Sequence, residues 1–548
     1  MPSALNLSLS KNIVITGFMG TGKTSVGRAV AAKLARTFVD MDVEIEARVG
    51  KPIARIFAQD GEPAFRQMET ALCDELSAHG GLVIATGGGA LVNPANRARM
   101  MASGAVVCLT CGVDEIFRRV DGNADRPLLA VTDGRAQIEQ LLQSRREAYA
   151  AIPWQIDTTT LSIEAVTDRV IEIADVITLP VHYPGGQYDI HIGNGVLRHI
   201  GGALRAIGIA DGSQVAIVSN TVVAPLYAAQ VEASLRSAGF LPFVCSIPDG
   251  EQQKTLATVA SLYDQFLAGG LDRSGTVLAL GGGVTGDVAG FAAASYMRGV
   301  RFVQAPTTLL AMVDASVGGK TGVDLPQGKN LVGAFKPPAL VLIDPAVLAT
   351  LPADEFRSGM AEMIKHGVIG DVGLLAELAS GQIVNPQDGS SRKTSRQGKW
   401  AERIARALRV KIAIVEEDPF EQGRRAVLNL GHTGGHALER LSDFSLRHGE
   451  AVSIGMVAAA KIAVELGRAD VSLADRIEAI LSAWGLPVRC PPFDADAILA
   501  AMTHDKKKQG HGLRWVLPHA VGQVEIIADV SPQVVKSVLC SLGARSKP

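Results

Sequence analysis

The stretch GFMGTGKT at residues 17–24 follows an apolar run at residues 12–16 and precedes an amphipathic segment at residues 24–36. It matches the pattern G-x-x-x-x-G-K-[ST], in which glycines let backbone N–H groups surround a phosphate at the amino end of a helix. In this pattern Lys23 reaches the β- and γ-phosphates, and the Thr24 hydroxyl ligates Mg²⁺. The sequence therefore predicts a strand, a phosphate loop and a helix. The ATP-binding residues expected from the motif are Gly17, Gly20, Gly22, Lys23 and Thr24.

Outward from this loop, short apolar runs alternate with amphipathic ones to about residue 175, as they do in βαβ units with a parallel sheet. Prolines and a glycine pair then interrupt this alternation. The alternation resumes after them, and the last part of the chain is predicted to be mainly helical. We predict an α/β protein with a P-loop domain at 1–177, a linker at 178–187, a second α/β half at 188–350 and a helical half at 351–548. Residues 381–399 are polar and predicted to be a solvated loop.

The composition narrows the class of protein. The 548 residues are too many for one core, and 47% hydrophobic with 20% charged residues is typical of globular proteins. A net charge of -2 disfavours nucleic acid and anionic membranes as partners, and no apolar run reaches the ~18 residues of a membrane span. Six scattered cysteines form no disulfide framework. We expect a cytoplasmic enzyme with small-molecule substrates.

Charged residues beyond the loop outline a pocket for a small hydroxylated acid. Asp40 and Asp42 end the next apolar run, where carboxylates hold Mg²⁺ through water or bind hydroxyl groups. Arg66 and Arg145 lie on predicted helices, and the glycine triplet at 87–89 permits close approach of a ligand. Each arginine alone is more often part of a solvated helix face. Together they supply cations for a carboxylate, with an aspartate for the hydroxyls.

These elements, in this order over residues 11–175, resemble shikimate kinase. The resemblance implies a P-loop kinase in which Asp40 supports Mg²⁺ through water and Arg126 is a lid arginine over ATP. Lys23, Asp42 and Arg126 would be its catalytic residues. The residues implied for shikimate binding are Asp42, Arg66, Gly88 and Arg145.

A second glycine loop, GGGVTGD at residues 281–287, follows a predicted strand and precedes an apolar helix. The acidic residue that ordinary dinucleotide folds place about 20 residues later is absent. The pattern therefore indicates a pyrophosphate at a helix N-terminus, without the usual two-half dinucleotide fold.

A zinc-type ligand set is the stronger signal in this part of the chain. His432 and His436 are spaced i, i+4 on one helix face, and His448 follows shortly. Glu362 begins a helical segment with Lys365 one turn later. A carboxylate with imidazoles binds zinc and leaves positions open for substrate oxygens. Spacing alone pairs His432 with His436.

Several cations lie inside glycine-rich or apolar segments, where a merely solvated charge is unusual. They indicate an anionic, phosphate-bearing substrate. These residues are Lys320, Lys329, Lys365, Lys411, Arg425 and the lysine run at 506–508.

From about residue 188 to 530 the chain resembles 3-dehydroquinate synthase. The segments that carry the resemblance are PDGEQQK (248–254), GGGVTGD (281–287), PTT (306–308), DASVGGKT (314–321), GKNL (328–331), AEMIK (361–365) and NLGHTGGH (429–436). It implies an NAD-binding α/β half followed by a metal-binding helical half, which converts 3-deoxy-D-arabino-heptulosonate 7-phosphate to 3-dehydroquinate with release of phosphate. It also allows a homodimer through this domain.

The resemblance also assigns residues. It implies that Glu362, His432 and His448 bind Zn²⁺ or Co²⁺, and it places His436 on the substrate. The residues implied for NAD are Asn220, Glu251, Lys254, Gly283, Asp287, Thr307, Thr308, Lys320 and Lys329. Those implied for the substrate are Asp314, Lys320, Lys329, Asn330, Lys365, Lys411, Arg425, Asn429, His436 and, reaching the phosphate, Arg298. Lys320, Lys365, Arg425 and His436 would be catalytic.

Other interpretations remain open at this point. The chain could be another small-molecule P-loop kinase fused to another sugar-phosphate cyclase or to a metal alcohol dehydrogenase. It could also be a nucleotide-sensing protein with degenerate active sites, which the intact motif residues disfavour. Those residues are Lys23, Asp42, Arg126, Glu362, His432 and His448.

Overall fold

A computed structural model describes residues 11–120, 134–380, 398–443, 445–506, 514–528 and 530–546. Arg126, Lys507 and most of the predicted polar loop at 381–399 lie outside the described residues. The chain divides into two compact units. Unit 1 comprises Met1–Val176 with Arg198–Gly212 and Ala233–Phe240, and unit 2 comprises Ile177–Leu197, Ser213–Glu232 and Leu241–Pro548. No helix among the described residues is both long and apolar enough to cross a membrane.

Unit 1 is built on a parallel sheet of five strands in the order β2-β3-β1-β4-β5. Its strands are β1 (Asn12–Gly17), β2 (Phe38–Asp40), β3 (Val83–Ala85), β4 (Gly104–Thr110) and β5 (Trp154–Asp157). Its helices are α1 (Lys23–Leu34), α2 (Met41–Val49), α3 (Ile53–Gln59), α4 (Gly61–Ser77), α5 (Pro94–Ser103), α6 (Val113–Val120), α7 (Gly134–Ala150), α8 (Ile163–Ala174) and α9 (Ile200–Ala206).

Strand β1 occupies the middle of this sheet. All six of its residues are buried, which explains its continuous apolar run. A side chain could not replace Gly17 at its end, because a methyl group there would lie 2.2 Å from the Leu109 carbonyl oxygen. The central position of β1 brings the phosphate loop to the carboxyl edge of the sheet, where open α/β sheets bind ligands.

Unit 2 contains a sheet of seven strands in the order β6-β7-β14-β11-β10-β8-β9, with only β6 antiparallel to its neighbour. These strands are β6 (Ile177–Tyr183), β7 (Gly186–Ile192), β8 (Gln214–Asn220), β9 (Leu241–Ile247), β10 (Thr276–Gly281), β11 (Arg301–Pro306) and β14 (Leu340–Ile343). A hairpin of β12 (Lys320–Leu325) and β13 (Gly328–Phe335) precedes β14. Helices α10 (Ala224–Ser237), α11 (Leu256–Ala268) and α12 (Gly283–Ser295) connect the strands.

The predicted linker at 178–187 is wrong in its conformation, because these residues form β6, a turn and the start of β7. Leu179 and Val181 alternate inward as a half-buried strand requires, while Pro180 lies on the edge strand, where a missing N–H is tolerated. The glycines that suggested a flexible link form the turn, with Gly185 at φ 114°.

The rest of unit 2 is mainly helical, as predicted. The helices are α13 (Ala353–Gly370), α14 (Val372–Ala379), α15 (Gly398–Glu417), α16 (His432–Leu441), α17 (His448–Glu465), α18 (Val471–Ala483), α19 (Ala495–Lys506) and α20 (Pro532–Ser541). A second hairpin, β15 (Arg514–Ala520) with β16 (Gln523–Ala528), lies among them. Helices α13 and α17 are buried along most of their length, which makes them rigid supports for polar side chains.

Candidate active sites

The phosphate loop has the geometry that its motif predicts. Gly20 and Gly22 have left-handed φ angles of 77° and 95°, and α1 begins directly after Gly22. The Lys23 ammonium donates to the Phe18 carbonyl at 3.0 Å, which holds the side chain along the loop. The Thr24 hydroxyl donates to Asp40 Oδ2 at 2.7 Å, so the two predicted magnesium residues are neighbours.

A polar pocket faces the glycine triplet at the end of β3. A methyl group on Gly87 would lie 2.6 Å from Asp42 Oδ1 and 2.8 Å from Glu69 Oε1, so two carboxylates meet there. Arg66 Nη1 donates to Glu69 Oε2 at 2.6 Å, and a methyl group on Gly89 would collide with the Arg66 guanidinium. The structure therefore brings Asp42 and Arg66 together around the triplet.

Helix α7 contacts the middle glycine of the triplet. Arg145 Nη1 and the Tyr149 hydroxyl donate to the Gly88 carbonyl at 3.0 and 2.6 Å. Burial raises the pKa of Tyr149 to about 12, so it remains a neutral donor. Gly88 and Arg145, both predicted to bind shikimate, thus lie beside each other.

Two residues near this site were not predicted. Glu69 is 2% exposed and burial raises its pKa, an effect that Arg66 opposes. Glu69 follows Arg66 by three residues, about one helical turn, and this spacing is the sequence signal that could have identified the pair. Arg119 donates to the Gly20 carbonyl at 3.3 Å and to the Thr158 carbonyl at 2.8 Å, and thereby places a guanidinium beside the phosphate loop. The predicted lid residue Arg126 lies outside the described residues.

In unit 2, the residues predicted to bind NAD gather at the carboxyl ends of parallel strands. Asn220 ends β8, Gly283 opens α12 just after β10, and Thr307 and Thr308 follow β11. A methyl group on Gly282 would lie 3.1 Å from Thr308 Cγ2, which brings the glycine loop and the threonine pair together. Open α/β sheets bind nucleotides at such an edge.

A chain of opposite charges extends from this edge. The buried Lys254 ammonium lies 2.7 Å from Asp287 Oδ2 and donates to Asn330 Oδ1 at 2.5 Å. Lys329 Nζ lies 3.4 Å from Glu251 Oε1. Asn330 has a left-handed φ of 54°, so the backbone of β13 bends where its side chain meets Lys254.

The predicted metal ligands converge from three helices. Glu362 of α13 is wholly buried, and its Oε1 lies 3.7 Å from His432 Nε2 and 3.4 Å from His448 Nε2. Donor atoms of the three residues all lie within 4.8 Å of one another. His432 Nδ1 lies 3.2 Å from the Leu430 carbonyl, which selects the tautomer with a free Nε2. One carboxylate and two imidazole nitrogens fit a zinc-type ion with open positions.

His436 also belongs to this cluster, with its ring centroid 5.2 Å from that of His432 and 6.2 Å from that of His448. Its donor atom lies within 4.8 Å of donors of His448 and Glu439, a second possible set. Spacing predicts that His436 is a metal ligand with His432, whereas the resemblance places it on the substrate, and its position beside both imidazoles is compatible with either role.

The pKa values of this cluster are shifted by burial and by the charged neighbours of each group. Burial alone would raise the pKa of Glu362, but Lys365 and the hydrogen bond with His448 hold it well below its ordinary value. Burial lowers the pKa of His448, but hydrogen bonds to Glu362 and Glu439 outweigh this and raise it to about 10. Burial, with Lys365 beside it, lowers the pKa of His366 to about 3, so that imidazole is neutral.

The predicted substrate cations surround the same cluster. Lys411 Nζ lies 2.5 Å from Asp314 Oδ1, and Lys365 contacts Glu362. Burial would raise the pKa of Asp314, but Lys411 and Lys365 hold it well below its usual range. Asp314 lies in a π-helical turn, a distortion that is frequent at functional sites.

Of the remaining substrate residues, Arg425, Lys320 and Asn429 lie on segments next to the residues above, whereas no hydrogen bond or ion pair among the described residues joins Arg298 to the cluster. The buried Arg425 donates to the Pro419 and Gly318 carbonyls at 2.6 and 3.3 Å, which places it beside the DASVGGKT segment. Lys320 contacts Glu421, a residue the sequence did not single out. Asn429 ends the short helix Arg424–Asn429, three residues before His432. Arg298 is exposed in a left-handed turn with φ 67°.

Family models match both parts of the chain. Residues 19–175 match the model of shikimate kinase. Residues 244–358 match the model of the 3-dehydroquinate synthase N-terminal domain, and residues 359–508 match that of its C-terminal domain. The three matches cover most of the residues of the two sites described above, with Gly17 and Asn220 outside the matched ranges.

Individual proteins agree with the models. A 3-dehydroquinate synthase of Microcystis aeruginosa is 47% identical over 367 residues, which are 66% of this chain and 98% of that protein. The 3-dehydroquinate synthase of Geobacter metallireducens is 46% identical over 351 residues, which are 64% of this chain and 95% of that protein.

Solved structures are similar over the same part. ValA, a 2-epi-5-epi-valiolone synthase from Streptomyces hygroscopicus with NAD⁺ and Zn²⁺ bound, is 29% identical with a TM-score of 0.59 and covers 66% of this chain and 98% of its own. A 2-deoxy-scyllo-inosose synthase complexed with carbaglucose-6-phosphate, NAD⁺ and Co²⁺ is 26% identical with a TM-score of 0.57. The match covers 67% of this chain and 99% of that one.

Proposed function

The chain belongs to the 3-dehydroquinate synthase family and carries a shikimate kinase domain, and we propose that the two clusters of residues described above are the active sites of these two enzymes. The protein is a bifunctional shikimate-pathway enzyme, a phosphotransferase and a lyase. One activity phosphorylates shikimate to shikimate 3-phosphate with ATP. The other converts 3-deoxy-D-arabino-heptulosonate 7-phosphate to 3-dehydroquinate and releases phosphate.

For the kinase, the contact between Thr24 and Asp40 beside the phosphate loop carries the proposal. It supports a magnesium ion held by Thr24 directly and by Asp40 through water. Lys23 stabilises charge on the transferred phosphoryl group. Asp42 binds the shikimate hydroxyls, and Arg66 binds its carboxylate with Gly88 and Arg145, because these groups converge on the glycine triplet.

We expect Gly87→Ala to raise the KM for shikimate roughly tenfold to hundredfold, because overpacking a filled site costs about 1–3 kcal/mol. The new methyl group would lie 2.6 Å from Asp42 Oδ1 and force the carboxylate away from its position. The KM for ATP should stay unchanged. Gly112→Ala is the matched control, since its methyl group would make only ordinary contacts at 3.6 Å. An unchanged KM for shikimate in Gly87→Ala would contradict this placement of the pocket.

For the synthase, the convergence of Glu362, His432 and His448 carries the proposal. The NAD⁺ and Zn²⁺ or Co²⁺ bound by the two similar cyclases support the same cofactors here. NAD would accept and return a hydride, and the metal ion would polarise an alcohol oxygen. The chain's own residues hold the substrate: Lys365, Lys411 and Arg425 present positive charge to its anionic groups, and Asp314 and His436 are placed to bind hydroxyls.

A second candidate is another sugar-phosphate cyclase, since both similar solved structures carry other cyclase names. Sequence identity favours 3-dehydroquinate synthase, with 47% to the Microcystis aeruginosa protein against 29% to ValA.

The test of the synthase follows NAD⁺ and phosphate together. The proposed reaction is redox-neutral overall, because the hydride removed must return before product leaves. We expect many phosphates released per NAD⁺ at substoichiometric NAD⁺, without accumulation of NADH absorbance. One NADH formed per substrate consumed would identify a metal alcohol dehydrogenase instead.

The domain limits and the biological setting are also part of the proposal. We place the kinase at residues 1–177 and the synthase at 188–548. Most of β6 lies in the segment between them and pairs with β7 at the edge of the synthase sheet. An enzyme that uses ATP and NAD is expected in the cytoplasm. The exposed position of Arg298 supports a homodimer in which this residue reaches the partner's substrate phosphate.

A further inference from the structure

Glu439 is a buried carboxylate beside the metal cluster that no sequence pattern singled out. It lies on α16, seven residues after His432 and three after His436, with a side chain only 5% exposed. Its Oε1 lies 3.4 Å from His448 Nδ1 and 3.8 Å from Lys329 Nζ. A carboxylate this deeply buried requires partners, and these two groups supply them.

The two nitrogens of the His448 ring therefore face different carboxylates. Nε2 faces Glu362, which is a proposed metal ligand, and Nδ1 faces Glu439 on the opposite side of the ring. When Nδ1 donates its hydrogen to a carboxylate, the lone pair of Nε2 stays available for a metal ion. The same contact fixes the ring's orientation and increases its basicity as a ligand.

His432 offers a comparison within the same site. Its Nδ1 lies beside a neutral acceptor, the Leu430 carbonyl, at 3.2 Å. The two imidazoles are thus oriented by different groups, one by backbone and one by a charged side chain. We infer that Glu439 is a positioning residue that orients His448 for the metal ion, an inference that rests on the ligand set proposed above.

Lys329 contacts both Glu439 and a residue proposed to bind NAD. Its ammonium lies between Glu439 and Glu251, at 3.8 and 3.4 Å from their Oε1 atoms. It supplies a counter-charge to the same Glu439 oxygen that faces His448 Nδ1. One lysine therefore adjoins both the carboxylate behind the metal site and a residue proposed for NAD.

The experiment measures metal affinity in the full-length protein stripped of metal. Competition with a chromophoric chelator should show Zn²⁺ binding about 10–100-fold weaker in Glu439→Gln than in the wild type. The absorption bands of the Co²⁺-loaded variant should shift, because the ligand field changes when His448 changes orientation. Glu478→Gln is the matched control, since this carboxylate of α18 pairs with Lys461 at 3.1 Å outside the cluster.

His448→Ala is measured in parallel to separate two failures. Glu439→Gln with wild-type affinity and wild-type Co²⁺ bands, beside a His448→Ala protein that has lost metal, would overturn the inference and leave the ligand set standing. Wild-type affinity in His448→Ala would overturn the ligand set and the inference with it. If Glu439→Gln does not fold, Glu439→Asp carries the test: it keeps the charge but withdraws the carboxylate from Nδ1, and wild-type affinity and bands there would refute the inference.

Discussion

The Lys23→Met protein is expected to lose kinase turnover by about 10³-fold, the effect of removing one preorganised charge from a transition state. Lys23 Nζ is held at the phosphate loop by its bond to the Phe18 carbonyl at 3.0 Å, so its charge is in position before ATP binds. Methionine keeps the length of the side chain and removes the charge. ADP formation with saturating shikimate and ATP measures the loss.

The chain supplies two controls for this experiment. Synthase turnover, followed as phosphate release in the same sample, should match the wild type because its residues lie in the other unit. Lys33→Met removes a lysine from the same helix, where it is exposed and paired with Asp168, and should leave both activities intact. A Lys23→Met kinase with unchanged turnover would disprove the assignment of this loop.

Glu362→Gln is expected to lower zinc affinity and synthase turnover by about 10²–10⁴-fold, since breaking a buried ion pair costs about 3–5 kcal/mol. Glu362 is the only carboxylate of the proposed ligand set, and its neutralisation also leaves the buried Lys365 without its counter-charge. Zinc content after dialysis and phosphate release from the sugar acid phosphate measure the two effects.

Kinase turnover in the Glu362→Gln sample should be unchanged, which separates loss of the metal site from loss of the protein. Glu377→Gln is a second control, because this carboxylate pairs with Arg403 at 2.8 Å and is one-third exposed. Full zinc occupancy with wild-type turnover in Glu362→Gln would exclude Glu362 as a ligand.

The alternation of strands and helices was predictable because it depends on local patterns. Strand β1 is one apolar run, and α1 begins where the glycine motif requires a helix N-terminus. The failure at 178–187 has a physical cause. Proline and glycine punctuate loops and edge hairpins alike, and only the pairing of β6 with β7 distinguishes the two.

The polar residues of the sites likewise divide into those that local sequence patterns predict and those that only the folded chain reveals. Residues inside motifs were found from the sequence, since spacing places them on one helix face or one loop. Glu439 was missed because it lies at a buried helical position whose partners, His448 and Lys329, are distant in sequence. Glu69 was missed although it lies one helical turn after Arg66, because that spacing is equally typical of an exposed ion pair. The geometry also leaves His436 near the metal ligands, so helical spacing alone could not separate a ligand from a neighbour.

Three cations of the synthase site already face carboxylates: Lys365 with Glu362, Lys411 with Asp314, and Lys320 with Glu421. A phosphorylated acid must therefore displace existing partners, and its binding is an exchange of ion pairs. A ligand gains only if its anionic groups satisfy the cations while its hydroxyl groups donate to the carboxylates they displace. Selectivity for a polyhydroxy acid over simple anions follows from this balance.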